Sequence, residues 1–192
     1  MPAVVLASSS PYRRRLLEQL GLDFEWSSPA IDETAAPDET PASLVKRLAE
    51  AKARALAGRY PQHWIIGSDQ VACLDGRILG KPGDLDNARR QLRACRGRSV
   101  QFMTGLCLLD SRSGSAETVA EPFTVHFRTL DEAQIDRYLE REQPFDCAGS
   151  FKMEGLGIAL FERLEGDDPN ALIGLPLIRL VTLLQRAGIA VI

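Results

Sequence analysis

Apolar positions along the chain fall into two rhythms, short continuous runs and longer stretches with an apolar residue every three or four positions. Ala3 to Ala7 is a continuous run and predicts a first strand. Ser8-Ser9-Ser10-Pro11 follows, with serine as helix cap and Pro11 at the first helical position; Leu16, Leu17 and Leu20 give that helix an inward stripe, and Gly21 ends it. Leu22 to Ser27 predicts a second strand, followed by the acidic loop Ile31-Asp32-Glu33-Thr34. Thr40 and Pro41 open another helix, whose inward face is Leu44, Val45 and Leu48 and which Gly58 closes. Lys46–Glu50 and Glu50–Arg54 pair along its exposed face, and Lys52, off that ladder, reads from the helix alone as a surface lysine.

Trp64 to Ile66 predicts a strand buried on both faces, opening abruptly into Gly67-Ser68-Asp69-Gln70. Asp75-Gly76 then predicts a hairpin returning through Ile78 and Leu79 to Gly80-Lys81-Pro82. Asp84 or Asp86 starts a helix through Cys95 that Gly97 ends; Ser99 to Leu109 and Glu117 to Arg128 form a strand pair around the polar loop Ser111–Ser115. Asp131 with Gln134 is a capping-box variant opening a helix to about Glu142, which Pro144 breaks. Residues 146 to 155 mix small residues, charges and glycine and read as a loop; Gly157 to Phe161 predicts a buried strand. Pro176 starts a last helix, apolar nearly all round and therefore expected to be largely buried, in the core or against a second subunit. Strands alternating with helices, with hairpins between, predict an α/β fold with a mixed sheet, in a single domain over residues 1–192.

Composition narrows the function. With 45% hydrophobic and 26% charged residues the chain is ordinary for a globular protein. A net charge of −3 gives no global attraction to nucleic acid, so a polyanion must meet a local basic site. Arg179 interrupts the richest apolar stretch, and no run approaches the roughly 20 residues of a membrane span. Neither a nucleic acid polymer nor a membrane is therefore expected as a partner. The first residues lack the charged region of a secretory signal, and the four cysteines (Cys73, Cys95, Cys107, Cys147) have no paired spacing, which predicts a reducing cytoplasm. His63 and His126 lack partners at ligand spacing and read as structural.

Two places suggest chemistry. A strand leading into a serine loop and a helix N-terminus offers outward N–H groups to an anion. Arg13, Arg14 and Arg15 sit in that helix's first turns, where cations oppose the helix dipole unless an anion lies between; Arg13, nearest the loop, is the candidate phosphate contact, while Arg14 and Arg15 read as solvated charges. Asp69, leaving a buried strand and opposite Lys81 on the returning one, is a candidate general base. Adjacent carboxylates such as Asp32 and Glu33 are what a hard divalent cation requires.

These segments together resemble the Maf family of nucleoside triphosphate pyrophosphatases: Leu6-Ala7-Ser8-Ser9-Ser10-Pro11 with Arg13, Asp32-Glu33-Thr34, and Gly67-Ser68-Asp69-Gln70 with Gly80-Lys81-Pro82, the likeness ending in Gly174-Leu175-Pro176. The resemblance implies a fold like that of inosine triphosphatases, a mixed sheet flanked by helices with two lobes around a deep cleft. It implies hydrolysis of the α–β phosphate bond, with Asp69, Lys52 and Lys81 catalytic, Ser8 and Arg13 on phosphate, and Mg²⁺ or Mn²⁺ held by Glu33 and Asp69 with triphosphate oxygens. Asp69 is thus a candidate for two roles, proton acceptor and metal ligand. A possible homodimer is also implied. Where the pyrimidine-cleaving branch has an arginine after the proline, this chain has Tyr12; with Gln70 and Lys152-Met153-Glu154 it looks like the branch acting on 7-methylguanosine triphosphate. The chemistry agrees: methylated guanine is cationic and stacks on an aromatic face, and a carboxylate such as Glu154 accepts from guanine's N1–H and N2–H. The same chemistry on another nucleotide, or a nucleotide-binding regulator of cell division with little catalysis, are the alternatives.

Overall fold

A computed structural model describes residues 4–192. Strand β1 (Val4–Ala7) is wholly buried and pairs in parallel with β2 (Phe24–Ser27) on one side and β3 (Trp64–Leu74) on the other. Ala3, assigned to this strand from the sequence, lies outside the described residues. A parallel strand covered on both faces cannot alternate apolar with polar, which is why Val-Val-Leu-Ala reads as a continuous run. Among the described residues seven strands form the sheet, in the order β2-β1-β3-β5-β6-β7, with β4 (Arg77–Leu79) paired to β3; β5 is Ser99–Asp110, β6 Ala116–Phe127 and β7 Phe161–Glu165.

The chain groups into two compact units, each discontinuous in sequence. The first takes the chain through Gln70 with Met103–Glu121 and Asp168–Ile192; the second takes Val71–Phe102 and Pro122–Asp167. In the first unit, Leu6 and Ile66 pack with Leu16 and Leu17 of helix α1 (Pro11–Glu18) and with Leu180 and Leu184 of the last helix (Leu177–Arg186). The alternate residues Val5, Ala7 and Ile65 pack with Ala49 and Ala53 of helix α2 (Pro41–Leu56) on the opposite face. Side chains of one strand thus enter two separate cores, as the twofold repeat of a strand requires.

Two glycines decide how close α2 comes. A Cβ at Gly67 of β3 would lie 2.0 Å from the Ala49 carbonyl oxygen, and one at Gly105 of β5 would lie 2.1 Å from that of Val45. The helix backbone therefore rests directly on the sheet, which buries Lys52. Replacing Gly67 with alanine is expected to push α2 off the strand and cost about 1–3 kcal/mol, the usual range for overpacking a filled core. Chemical denaturation of the purified variant measures it; an unchanged midpoint would mean that the helix does not bear on this strand.

The second unit follows the expected punctuation. Asp75 and Gly76 both have positive φ, 49° and 77°, as a two-residue type I′ hairpin turn requires. Asp84 rather than Asp86 caps helix α3 (Leu85–Cys95), and Asp131 with Gln134 forms a full capping box on α4 (Glu132–Glu142). Phe151 meets Phe102, Phe127 and Phe161 edge-on at centroid distances of 5.2, 6.0 and 4.8 Å, the aromatic centre of this unit.

Three expectations are corrected and one element is added. Gly67 to Gln70 are not a turn after the strand but part of β3, which runs on to Leu74. Gly157 to Phe161 is not a strand: Leu156–Leu160 is a short 3₁₀ turn, and β7 begins only at Phe161. A five-residue apolar run fits either element, and Gly157 lies so close to the Lys152 carbonyl that its Cβ would be 2.3 Å away. A short helix α5 (Pro169–Ile173), capped by Asp168, precedes the last helix, hereafter α6. Finally, α6 buries Leu177, Leu180, Leu183 and Leu184 but leaves Ile178 56% exposed, so it is amphipathic rather than buried all round.

Candidate active site

The first unit assembles its chemistry where β1, α1, α2 and β3 come together. Ser10 caps α1, accepting from the Arg13 amide at 3.4 Å, and Ser8 Oγ accepts from the Ser10 amide at 3.1 Å. Ser8 is buried and its hydroxyl shapes the loop that presents the helix N-terminus. The three arginines have different fates. Arg13 Nε donates to the Gly174 carbonyl at 2.8 Å, which fixes the guanidinium plane. Burial lowers the Arg13 pKa, with the charges of Asp69 and Glu33 acting in the opposite sense. Arg14, expected as a solvated charge, instead lies over the Trp26 ring at 4.1 Å, and Arg15 is exposed.

At the centre, Lys52 Nζ lies 2.6 Å from Asp69 Oδ1 and 2.8 Å from Glu33 Oε1. Lys52 and Asp69 are each 7% exposed, whereas Glu33 is exposed. The surface-lysine reading of Lys52 is thereby overturned. The helix pattern places it beside an inward stripe, but only the close approach at Gly67 and Gly105 brings α2 down far enough to bury it. Asp69 sits inside β3, between Ser68 and Gln70, with its backbone held by the sheet.

Its neighbours in the strand are fastened elsewhere. Ser68 Oγ lies 2.8 Å from both Gly105 O and Gly174 O, so one hydroxyl proton is shared between two carbonyls. Gln70 Nε2 donates to Thr104 Oγ1, Ala171 O and Leu172 O at 3.0, 2.7 and 3.1 Å. The amide nitrogen of Gln70 thus ties β3 to α5. Gly174 is the shared acceptor for Arg13 and Ser68, and Asp168, fully buried, accepts from the Asn170 and Ile178 amides at the starts of α5 and α6. Gly174 stands in the Gly174-Leu175-Pro176 segment of the family likeness, whereas the sequence reading leaves Asp168 out of the site. The signal was there in Asp168-Pro169, the same cap-proline pair seen at Ser10-Pro11 and Thr40-Pro41. Tyr12 is half-buried in the first turn of α1.

The remaining candidates belong to the second unit. Lys81 is exposed after β4, on an open groove of about 400 Å³ whose lining includes Pro82, Arg90 and Gln91. Glu154 is exposed in the loop after Phe151; desolvation first, and then the charge of Glu142, raises its pKa.

Among the described residues, no group of three or more His, Cys, Asp or Glu side chains is arranged to hold a metal. Glu33 and Asp69 supply two carboxylates around one lysine. That donor set suits a hard cation that arrives with its substrate, because Mg²⁺ commonly takes one or two carboxylates and completes its shell with phosphate oxygens and water.

The fold is that of the HAM1 proteins. The chain superimposes on a HAM1 protein from Coxiella burnetii with a TM-score of 0.54 at 16% identity, covering 97% of this chain and 100% of the other. The Ham1 protein of Staphylococcus aureus gives 0.50 at 14% identity, over 81% and 89% of the two chains. The mixed, helix-flanked α/β sheet and its inosine-triphosphatase-like class are as expected from the sequence. Residues 3–187 match the family model described as Maf-like protein, and the chain belongs to the Maf family. It is 60% identical over 191 residues to a protein of Nitrosococcus oceani named 7-methyl-GTP pyrophosphatase, covering 100% of this chain and 96% of that one. It is 58% identical to the Pseudomonas aeruginosa protein of the same name, with both chains covered completely.

Proposed function

We propose that this protein is a nucleotide pyrophosphatase that hydrolyses 7-methyl-GTP to 7-methyl-GMP and pyrophosphate. The observation that carries the chemistry is the buried Asp69–Lys52 contact, joined by Glu33 and faced by Arg13. The full-length relatives at 58–60% identity support the choice of nucleotide.

Arg13, the N–H groups at the start of α1 and Lys52 meet the triphosphate and offset the charge that builds as the anhydride breaks. Lys81 is the further cation that the family resemblance assigns to the phosphates. Asp69 orients a water molecule toward the α-phosphorus and takes its proton; a new P–O bond forms, the bond from the α-phosphorus to the bridging oxygen breaks, and pyrophosphate leaves with the electron pair. Lys52 exchanges Asp69 for a phosphate oxygen when substrate enters, freeing the carboxylate to accept that proton. Glu33 and Asp69 would hold Mg²⁺ or Mn²⁺, which when bound supplies charge neutralisation to the phosphates.

Tyr12 offers its ring to the cationic base, and Glu154 accepts from the guanine edge. Four free cysteines, three of them buried, support a cytoplasmic setting. Among the described residues no helix is long and apolar enough to cross a membrane. The exposed Ile178 face of α6 suits a homodimer contact.

The direct test is pyrophosphate release from a panel of triphosphates, with metal and with chelator, identifying both products. The expected result is highest kcat/KM for 7-methyl-GTP and loss of turnover in chelator; a pyrimidine triphosphate as best substrate would reassign the nucleotide. Tyr12→Arg is expected to lower the preference for 7-methyl-GTP over GTP by about tenfold, the scale of a stacked cation lost and a repulsion gained. An unchanged ratio would remove Tyr12 from base selection.

A further inference from the structure

The loop carrying Glu154 is held by side chains from two helices of its own unit. At its start, Ser150 is fully buried with φ +62°, and its hydroxyl donates to Gln91 Oε1 on α3 at 2.5 Å. The amide of Lys152 donates to the Tyr138 hydroxyl on α4 at 3.0 Å, and the Lys152 ammonium donates to the Glu142 carbonyl at 3.1 Å. The amide of Leu156 donates to Glu142 Oε1 at 2.9 Å. Between these points the chain turns on itself, with the Gly155 and Gly157 amides both donating to the Lys152 carbonyl, at 3.2 and 3.0 Å. Gly155 lies so close to Glu142 that a Cβ there would sit 2.5 and 2.8 Å from the two carboxylate oxygens. Glu142 is therefore the wall against which Gly155, next to Glu154, is folded. Gln91 has a second hold, its Nε2 donating to the Gly80 carbonyl at 3.0 Å next to Lys81.

A loop with mostly polar contacts and two glycines has many conformations of its own. Three anchors from α3 and α4 remove that freedom before any base arrives, which is what recognition of a donor pair by one carboxylate needs. We propose that Glu142, with Tyr138 and Gln91, is a positioning residue for nucleobase selection: it fixes the 150–156 loop so that Glu154 meets the base edge in one geometry. This rests on the reading of Glu154 given above.

The test compares kcat/KM for 7-methyl-GTP and ATP, because adenine presents an acceptor where guanine presents N1–H. Glu142→Ala is expected to reduce that ratio about tenfold, within the range of discrimination that one bidentate pair provides. Glu142→Gln, which keeps an acceptor for the Leu156 amide, is expected to restore it to within about twofold, and Tyr138→Phe to reduce it about threefold. Thermal unfolding of each variant separates these effects from loss of fold, and Glu142→Gln with Tyr138→Phe carry the test if the alanine variant does not fold. Equal losses for both nucleotides in the Glu142 and Tyr138 variants, with Glu154→Gln still shifting the ratio, would overturn the positioning role alone. A Glu154→Gln variant with the parental ratio would overturn base reading by this loop, and the proposal with it.

Discussion

Asp69→Asn is expected to lower kcat by roughly 10²–10⁴-fold, the contribution typical of a positioned acid–base group, with little change in KM. Asparagine has the shape of aspartate and retains an oxygen for Lys52, so the 2.6 Å contact has a replacement and the strand is undisturbed. What is lost is the ability to take a proton. Two features of the fold make the comparison clean. The backbone at position 69 is held within β3, and Ser68 and Gln70 on either side are bonded to Gly174, Gly105, Thr104 and α5. Asp69→Glu, which keeps the basicity but advances the carboxylate by one methylene, is expected to lose about 10²-fold, the usual consequence of a displacement near 1 Å. Steady-state rates of pyrophosphate release give both values. Near-parental turnover in Asp69→Asn would take this carboxylate out of the chemistry.

The elements were legible wherever a cap or turn residue stands beside a periodic run. Ser10-Pro11, Thr40-Pro41, Asp75-Gly76 and the Asp131/Gln134 box each specify local backbone by chemistry acting within three residues. Long-range contacts were not legible in this way. Nothing near position 52 distinguishes a buried lysine from a solvated one, because its burial is decided at Gly67 and Gly105, by the absence of two side chains on other strands. The motif residues identified Lys52 through family resemblance, and the packing supplies the physical reason. Position 70 illustrates the converse. Three acceptors on β5 and α5 surround its amide nitrogen, contacts that its place beside the acid does not announce. Residues 157–161 depart from the expected strand because a short apolar run carries no period, and what curls them is the carbonyl of Lys152.

Lys52→Met is expected to lose both turnover and stability, and the two losses have one origin. Methionine fills much of the same channel under α2, so the packing against the sheet is nearly kept. The ammonium is not replaced, and Asp69, 7% exposed, is left without the donor 2.6 Å away. Stranding one partner of a buried ion pair costs about 3–5 kcal/mol. Glu33 adds little to this, since its carboxylate is exposed and water screens it. Arg13 acts in the other direction, its charge remaining to offset part of that on Asp69. For a chain of this length, about 3 kcal/mol corresponds to a fall in Tm of roughly 6–12 °C. The decisive comparison is the double variant Lys52→Met/Asp69→Asn. With no charge stranded, its stability is expected to recover most of the loss, a coupling of about 2 kcal/mol between the positions, while turnover stays low. Urea unfolding of the parent, both single variants and the double variant supplies the cycle. If Lys52→Met matches the parent in stability, or if Asp69→Asn fails to relieve its defect, the two side chains are not the coupled pair on which the site is built.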